Sequence, residues 1–186
     1  ICTKAFEDNE DKSTIDALLN HFREIGEGIG LHKSPEVYGA FPTDPYSHTP
    51  LHKGAQQPGM TGQVKEDILT RIGELGIKIK DGKLEFKPEL LHTSEFLTEN
   101  QDVTFILKDG SEKRISLEAN SLAFSICQVP VIYKIGTSTH LKIHYTDHNI
   151  ENLDSSIMSE EISQKVFQRT GDIVYIELTL QKSILR

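Results

Sequence analysis

Apolar positions along the chain change their period twice. Ile15, Leu18, Leu19, Phe22 and Ile25 recur at helical spacing, which predicts an amphipathic helix capped by Ser13 or Thr14. Gly26, Gly28 and Gly30 are expected to end it. The polar, acidic stretch before it, Ile1 to Lys12, reads as loosely ordered. From Leu31 to Gly62 neither period survives, and Pro35, Pro42, Pro45, Pro50 and Pro58 alternate with glycines. A connection of about thirty residues is far longer than usual, and such loops are functional or disordered. Val37, Tyr38, Phe41, Tyr46 and Met60 supply side chains to bury, which favours an ordered loop. A second helix is predicted from about Thr61 to Leu75, with Val64, Ile68, Ile72 and Leu75 along one face. Glu66 and Asp67 suit its first turn, and Gly76 its end.

Beyond Gly76 the period drops to two. Ile77–Lys80 and Lys83–Phe86 flank Asp81-Gly82, a hairpin signal. Val103 to Leu107 and Arg114 to Leu117 flank Asp109-Gly110 and read as a second hairpin. Leu122 to Tyr133 is a long apolar stretch broken by Pro130, which implies two strands or one kinked edge strand. His140 to Tyr145 alternates, with Leu141, Ile143 and Tyr145 on one face and Lys142 and His144 on the other. Asp147 to Ser156 reads as a polar loop. Met158 to Arg169 reads as a short helix stopped by Gly171, and Ile173 to Leu180 as a last strand.

The expectation is an α+β chain. Residues 1–76 form a helical segment with a long Pro/Gly-rich loop at 31–62, and residues 77–186 an antiparallel β-sandwich-like domain or small barrel. A chain of 186 residues fits one domain or two small ones. Its net charge of −8 works against binding a phosphate backbone or an anionic membrane, so no nucleic-acid partner is expected. No apolar run reaches the roughly 20 residues of a membrane span. Two cysteines, Cys2 and Cys127, offer no disulfide framework. Cys127, inside Leu122–Cys127, reads as a small buried hydrophobe.

Candidate chemistry concentrates in the long loop. Tyr38, Asp44, Tyr46 and His48 place aromatic rings beside a carboxylate and an imidazole, a combination suited to the apolar faces and hydroxyls of a sugar. Gln56, Gln57 and Gln63 set three amides among small turn formers where a helix begins, a place able to hold a hydroxylated ligand. An anchoring role for the rings and a capping role for the amides are the structural alternatives. Asp44, His48 and His52 are a possible metal set, but Pro45 and Pro50 interrupt any helix that would align the imidazoles. His92, His140, His144 and His148 are scattered and read as surface residues, His144 facing solvent. Glu36 with Asp44 is a possible carboxylate pair, whereas adjacent Glu66 and Asp67 diverge on a helix. No phosphate loop, nucleophile elbow or zinc-protease motif is present, and no cofactor is implied.

Ser34-Pro35-Glu36-Val37-Tyr38-Gly39, the run Pro42 to Pro50, and Gly62-Gln63-Val64 opening a helix carry a resemblance. Residues 31–75 resemble the closing part of a bacterial six-hairpin (α/α)6-barrel glycosidase-like protein of the cellobiose-phosphorylase kind. In that family a Pro-rich loop lining the sugar site runs into a Gly-Gln pair at the start of a late barrel helix, and a small antiparallel β-domain can follow. The resemblance implies that Gln63 contacts sugar, that the general acid lies upstream of Ile1, and that an upstream domain of the same polypeptide is the partner. Met60-Thr61 stands where the family has Glu-Asn. Tyr38, Asp44, Tyr46, His48, Gln56 and Gln57 rest on residue chemistry alone.

The expected role is therefore the C-terminal portion of a larger carbohydrate-active protein. Its loop would complete a sugar site and its β-domain would brace the barrel, with no complete catalytic set in this chain and glycoside hydrolysis or phosphorolysis as the implied chemistry. The alternatives are a stand-alone carbohydrate- or ligand-binding module and a non-catalytic assembly domain. A bacterial periplasm and cytoplasm both fit.

Overall fold

The computed structural model describes residues 1–29 and 61–186, with side chains described for 1–23 and 68–186. Within these the chain is α+β and forms two compact units, Ile1–Gly73 and Glu74–Arg186.

In the first unit, helix α1 (Cys2–Glu7) precedes α2 (Lys12–Ile29). The stretch expected to be loose thus contains a helix. Six residues cannot sustain one alone, but α1 packs on α2, with Ala5, Ile15 and Leu19 buried. The α2 cap is Asp11, two or three residues ahead of the expected Ser13 or Thr14. Its carboxylate accepts from the Thr14 amide at 3.0 Å and from both hydroxyls at 2.6 Å, satisfying a donor the helix start leaves free. The helix also runs through Gly26 and Gly28 to Ile29. Glycine inside a helix costs about 1 kcal/mol but forbids nothing. Helix α3 (Thr61–Glu74) forms where expected, although Ile68 and Ile72 on its apolar face are exposed, as is Leu69.

In the second unit, Gly76 takes the left-handed backbone (φ 67°). Strands β1 (Ile77–Lys80) and β2 (Lys83–Phe86) form the first expected hairpin. Its turn residues Asp81 and Gly82 both have positive φ, as a type I′ turn requires. Strands β3 (Gln101–Ile106) and β4 (Glu112–Leu117) form the second. The remaining strands are β5 (Ser121–Ile126), β6 (Val129–Gly136), β7 (His140–Tyr145), β8 (Ile150–Leu153) and β9 (Ile173–Gln181). They make one sheet in the order β5-β6-β9-β7-β8.

This sheet departs from an antiparallel sandwich in two ways. At its centre β6 and β9 run parallel, with Val131 opposite Ile176 and Tyr133 opposite Leu178. The layer over its apolar face includes the β1–β2 hairpin and helix α4 (Glu160–Phe167). Leu84, Phe86, Met158, Ile162 and Val166 from that layer join Val131, Tyr133, Leu141, Ile143, Ile176 and Leu178 of the sheet in one core. Each large apolar side chain buried there contributes about 1.5–3 kcal/mol. Tyr133 anchors the cluster. Its ring meets Phe124 and Phe86 edge-on at 5.0 and 6.0 Å, and its hydroxyl donates to the Leu75 carbonyl at 2.7 Å. Burial pushes that phenol's pKa well up.

Polar links hold the hairpin and α4 together within that layer. The Leu84 amide donates to Ser163 Oγ at 2.9 Å, and that hydroxyl donates to the Ser159 carbonyl at 2.7 Å. Segment 156–158 also bonds the free edge of β2, through Phe86 N to Ser156 O at 3.0 Å and Met158 N to Leu84 O at 2.9 Å.

Three further expectations are corrected. The polar stretch Asp147 to Ser156 contains β8, paired with β7 from Leu141–Leu153 to His144–Ile150. Sheet pairing, rather than apolar alternation, makes it a strand. The apolar run Leu122 to Tyr133 forms two strands, one of the two forms expected, and folds back at Cys127-Gln128, both at positive φ (49° and 67°), so Cys127 is half-buried in a turn rather than fully buried. Pro130 then falls in an interior strand, β6. It pairs with Ser125 and precedes the first β9 pair at Val131, so no β9 ladder bond needs its missing amide. Finally, α4 ends at Phe167, before Gly171. Arg169 (φ 52°) is the left-handed residue, with Arg169 N bonded to Val166 O and Thr170 N to Lys165 O, both at 3.1 Å. This is a Schellman motif without its usual glycine.

Candidate functional site

Tyr38, Asp44, Tyr46, His48, Gln56 and Gln57 lie outside the described residues, as does His52 of the possible metal set. Gln63 falls in the first turn of α3, where backbone alone is described. None of these residues is therefore placed against another. Among the described residues there is no cluster of three or more histidine, cysteine or carboxylate side chains able to hold a metal ion.

The described residues offer two surfaces of chemical interest, both in the second unit. The first is the sheet face turned away from the core. Glu177 on β9 sits between Lys134 on β6, at 2.9 Å, and Lys142 on β7, at 3.9 Å. Burial works against the Lys134 ammonium, but the hydrogen bond and charge of Glu177 outweigh it and raise its pKa. Beside them the His144 ring stacks on Tyr175, centroids 3.9 Å apart at 14°. His144 is thus half-buried rather than solvent-facing. Burial holds its pKa below the ordinary 6.5, so the ring is neutral at pH 7. Its Nε2 is buried with no hydrogen-bond partner among the described residues.

The second is a cavity of about 350 Å³ at the ends where β6 and β9 begin. Four segments distant in sequence converge there: the β3–β4 turn, the β5–β6 turn, Thr146 just after β7, and the turn that follows α4. Leu107, Val129, Ile173 and Val174 give it an aliphatic floor. Its polar rim carries Lys108, Gln128, Thr146 and Arg169. Lys108 Nζ donates to the Thr170 carbonyl at 3.3 Å, and Arg169 donates to Gln128 Oε1 at 3.5 Å. Asp109 supplies the lining's one carboxylate. The Ser111 hydroxyl and amide bond it at 2.6 and 2.9 Å and hold its pKa below the usual carboxylate range. An ionised Asp109 already occupied by Ser111 is a poor proton donor. No histidine lines the cavity to partner the Cys127 thiol, so the arrangement is suited to holding a ligand rather than to acid–base or nucleophilic chemistry.

Pattern reading passes over this cavity because its lining comes from separate segments, and the hairpin signal at Asp109-Gly110 announces only one of them. One local signal exists in retrospect. A helix reading as stopped by Gly171 has Arg169 earlier, at the position where glycine belongs.

No protein-family model matches the chain, and no curated protein sequence matches it.

Proposed function

We propose that this chain is the closing segment of a larger carbohydrate-active protein, in which residues 31–62 complete a sugar site and Glu74–Arg186 brace a helical barrel. The observation that supports this most is α3. It opens at Thr61, so Gly62-Gln63 falls in its first turn, as the resemblance requires. It also leaves Ile68, Leu69 and Ile72 exposed, apolar surface of the kind a neighbouring barrel helix would cover. Catalysis in this reading belongs to the whole protein, because a complete acid and base pair has to be oriented around the substrate.

The test begins with the gene. The reading frame should continue upstream of the Ile1 codon through several hundred codons of amphipathic helical hairpins. In the protein so encoded, Gln63→Ala should weaken oligosaccharide binding by about tenfold, the loss of a ligand hydrogen bond or two. A start codon directly before Ile1 would sink the barrel reading. The cavity at the ends of β6 and β9 favours a second reading, a ligand-binding module in its own right, and that reading would then stand alone.

A further inference from the structure

The cavity at the amino ends of β6 and β9 combines three features that need not occur together. Its floor is aliphatic, from Leu107, Val129 and Ile173, with Val129 and Ile173 themselves buried. Two exposed cations, Lys108 and Arg169, converge on one turn of its rim. Each is bonded to a neutral oxygen, and neither has a carboxylate partner among the described residues. The rim is also built against local backbone preference. Cys127, Gln128 and Arg169 hold left-handed φ of 49°, 67° and 52°. Asn-Gly serves the hairpin position without strain, and glycine serves the helix end. Side chains kept at strained positions, and meeting one another through the Arg169–Gln128 contact, point to a use for those side chains.

We propose that this cavity binds a small organic carboxylate, its anion held by Lys108 and Arg169 and its apolar face lying on the aliphatic floor. A guanidinium fits a carboxylate through paired N–H donors, and an ammonium adds a point charge. The volume is near the lower end for small-molecule sites and matches a ligand of monosaccharide size. The lining contains no aromatic ring, so the ligand's body rests on aliphatic contacts rather than ring stacking. Asp109 is the one opposing charge, and Ser111 already occupies it. The assignment concerns the second unit alone and does not depend on the sugar site proposed for residues 31–62.

Calorimetry on the full chain at low ionic strength tests it with two carboxylates, hexanoate and glucuronate, and their neutral counterparts hexanamide and glucose. Inorganic phosphate controls for plain attraction of anions. At least one carboxylate should bind where its neutral counterpart does not, and more weakly as salt is added, because the cations are exposed. Which carboxylate binds tells whether the body is aliphatic or a sugar ring. Lys108→Ala and Arg169→Gly should each weaken binding by about tenfold. Arg114→Ala should leave it unchanged, since that cation pairs with Asp102 on the β3–β4 hairpin. Arg169→Gly should also hold or raise the unfolding midpoint, so its loss of binding is not a loss of fold. Three results would each overturn the assignment: no binding by either carboxylate at millimolar concentration, phosphate binding as tightly as both, or binding intact in Arg169→Gly.

Discussion

Two hairpin turns in the second unit share a backbone and differ in what stands on it. Asp81-Gly82 joins β1 to β2 with φ of 49° and 74°, and Cys127-Gln128 joins β5 to β6 with φ of 49° and 67°. The first uses residues that tolerate the left-handed region at little cost. The second carries two ordinary side chains there, at about 1–2 kcal/mol each. Helix ends repeat the contrast: Gly76 follows α3 in the left-handed region, and Arg169 does the same after α4. The relaxed positions face backbone or a neighbouring side chain. The strained ones line the cavity. At these four places local preference is obeyed where only the fold is at stake, and it is overridden where separate turns meet around open space.

The relaxed side of this contrast is the one that should break hardest. A Cβ on Gly76 would lie 2.1 Å from both the Lys87 carbonyl carbon and oxygen, and Gly76 O already accepts the Lys87 amide at 2.7 Å. Backbone cannot yield as a side chain does. Gly76→Ala should therefore cost about 3 kcal/mol or more, read as a lower midpoint in urea unfolding followed by tyrosine near-UV circular dichroism. Gly82→Ala is milder. There the new Cβ would meet the flexible Glu160 side chain at 3.3 Å, leaving mainly the left-handed strain, about 1 kcal/mol after the gain in unfolded-chain stiffness. Equal losses at the two positions would mean that strain, and not the blocking backbone, sets the cost at Gly76.

The strained side should respond with the opposite sign. Replacing Cys127-Gln128 by Asn-Gly restores the preferred type I′ pair and should stabilise the second unit by about 1 kcal/mol, once glycine's extra chain entropy offsets part of the relieved strain. Slower exchange of the β5 and β6 amides would report it locally. A neutral or destabilising result would mean that the half-buried Cys127 side chain, which packs against the core, contributes more than its backbone loses.

The same contrast explains what sequence reading reached. Both Asp-Gly hairpins, α3 and β9 are legible because turn chemistry and periodicity agree there. The turn at Cys127-Gln128 is hidden, because it interrupts a continuous apolar run with no glycine, proline or asparagine at the bend. Strand β8 is hidden because only Ile150 and Leu153 in it are apolar, and it is held by pairing with β7. The parallel β6–β9 pair joins residues far apart in sequence, such as Val131 and Ile176, and no local pattern encodes that register. Helix α1 depends on docking against α2, which a stretch of polar residues does not announce. For the site, the loop residues chosen from sequence lie outside the described ones. The cavity that the second unit does contain is assembled by topology, from turns whose functional side chains look locally misplaced.

Arg169→Gly carries the smallest expected effect on stability and the sharpest information. Relief of left-handed strain, about 1–2 kcal/mol, is set against about 0.5–1 kcal/mol of added chain entropy. The net is a stabilisation of about 0.5 kcal/mol. The lost side chain removes only an exposed contact to Gln128 at 3.5 Å, a distance at which a hydrogen bond contributes little. The Schellman bonds from Arg169 N and Thr170 N are made by backbone and survive the change. Arginine at this position therefore makes the helix end less stable than glycine would, and packing recovers none of the difference. A rise in the urea midpoint would show that the fold gains nothing from Arg169 and would leave the cavity as its remaining use. A clear fall would show that the side chain supports the turn itself, and the distinction drawn between the two kinds of turn would fail at its most exposed point.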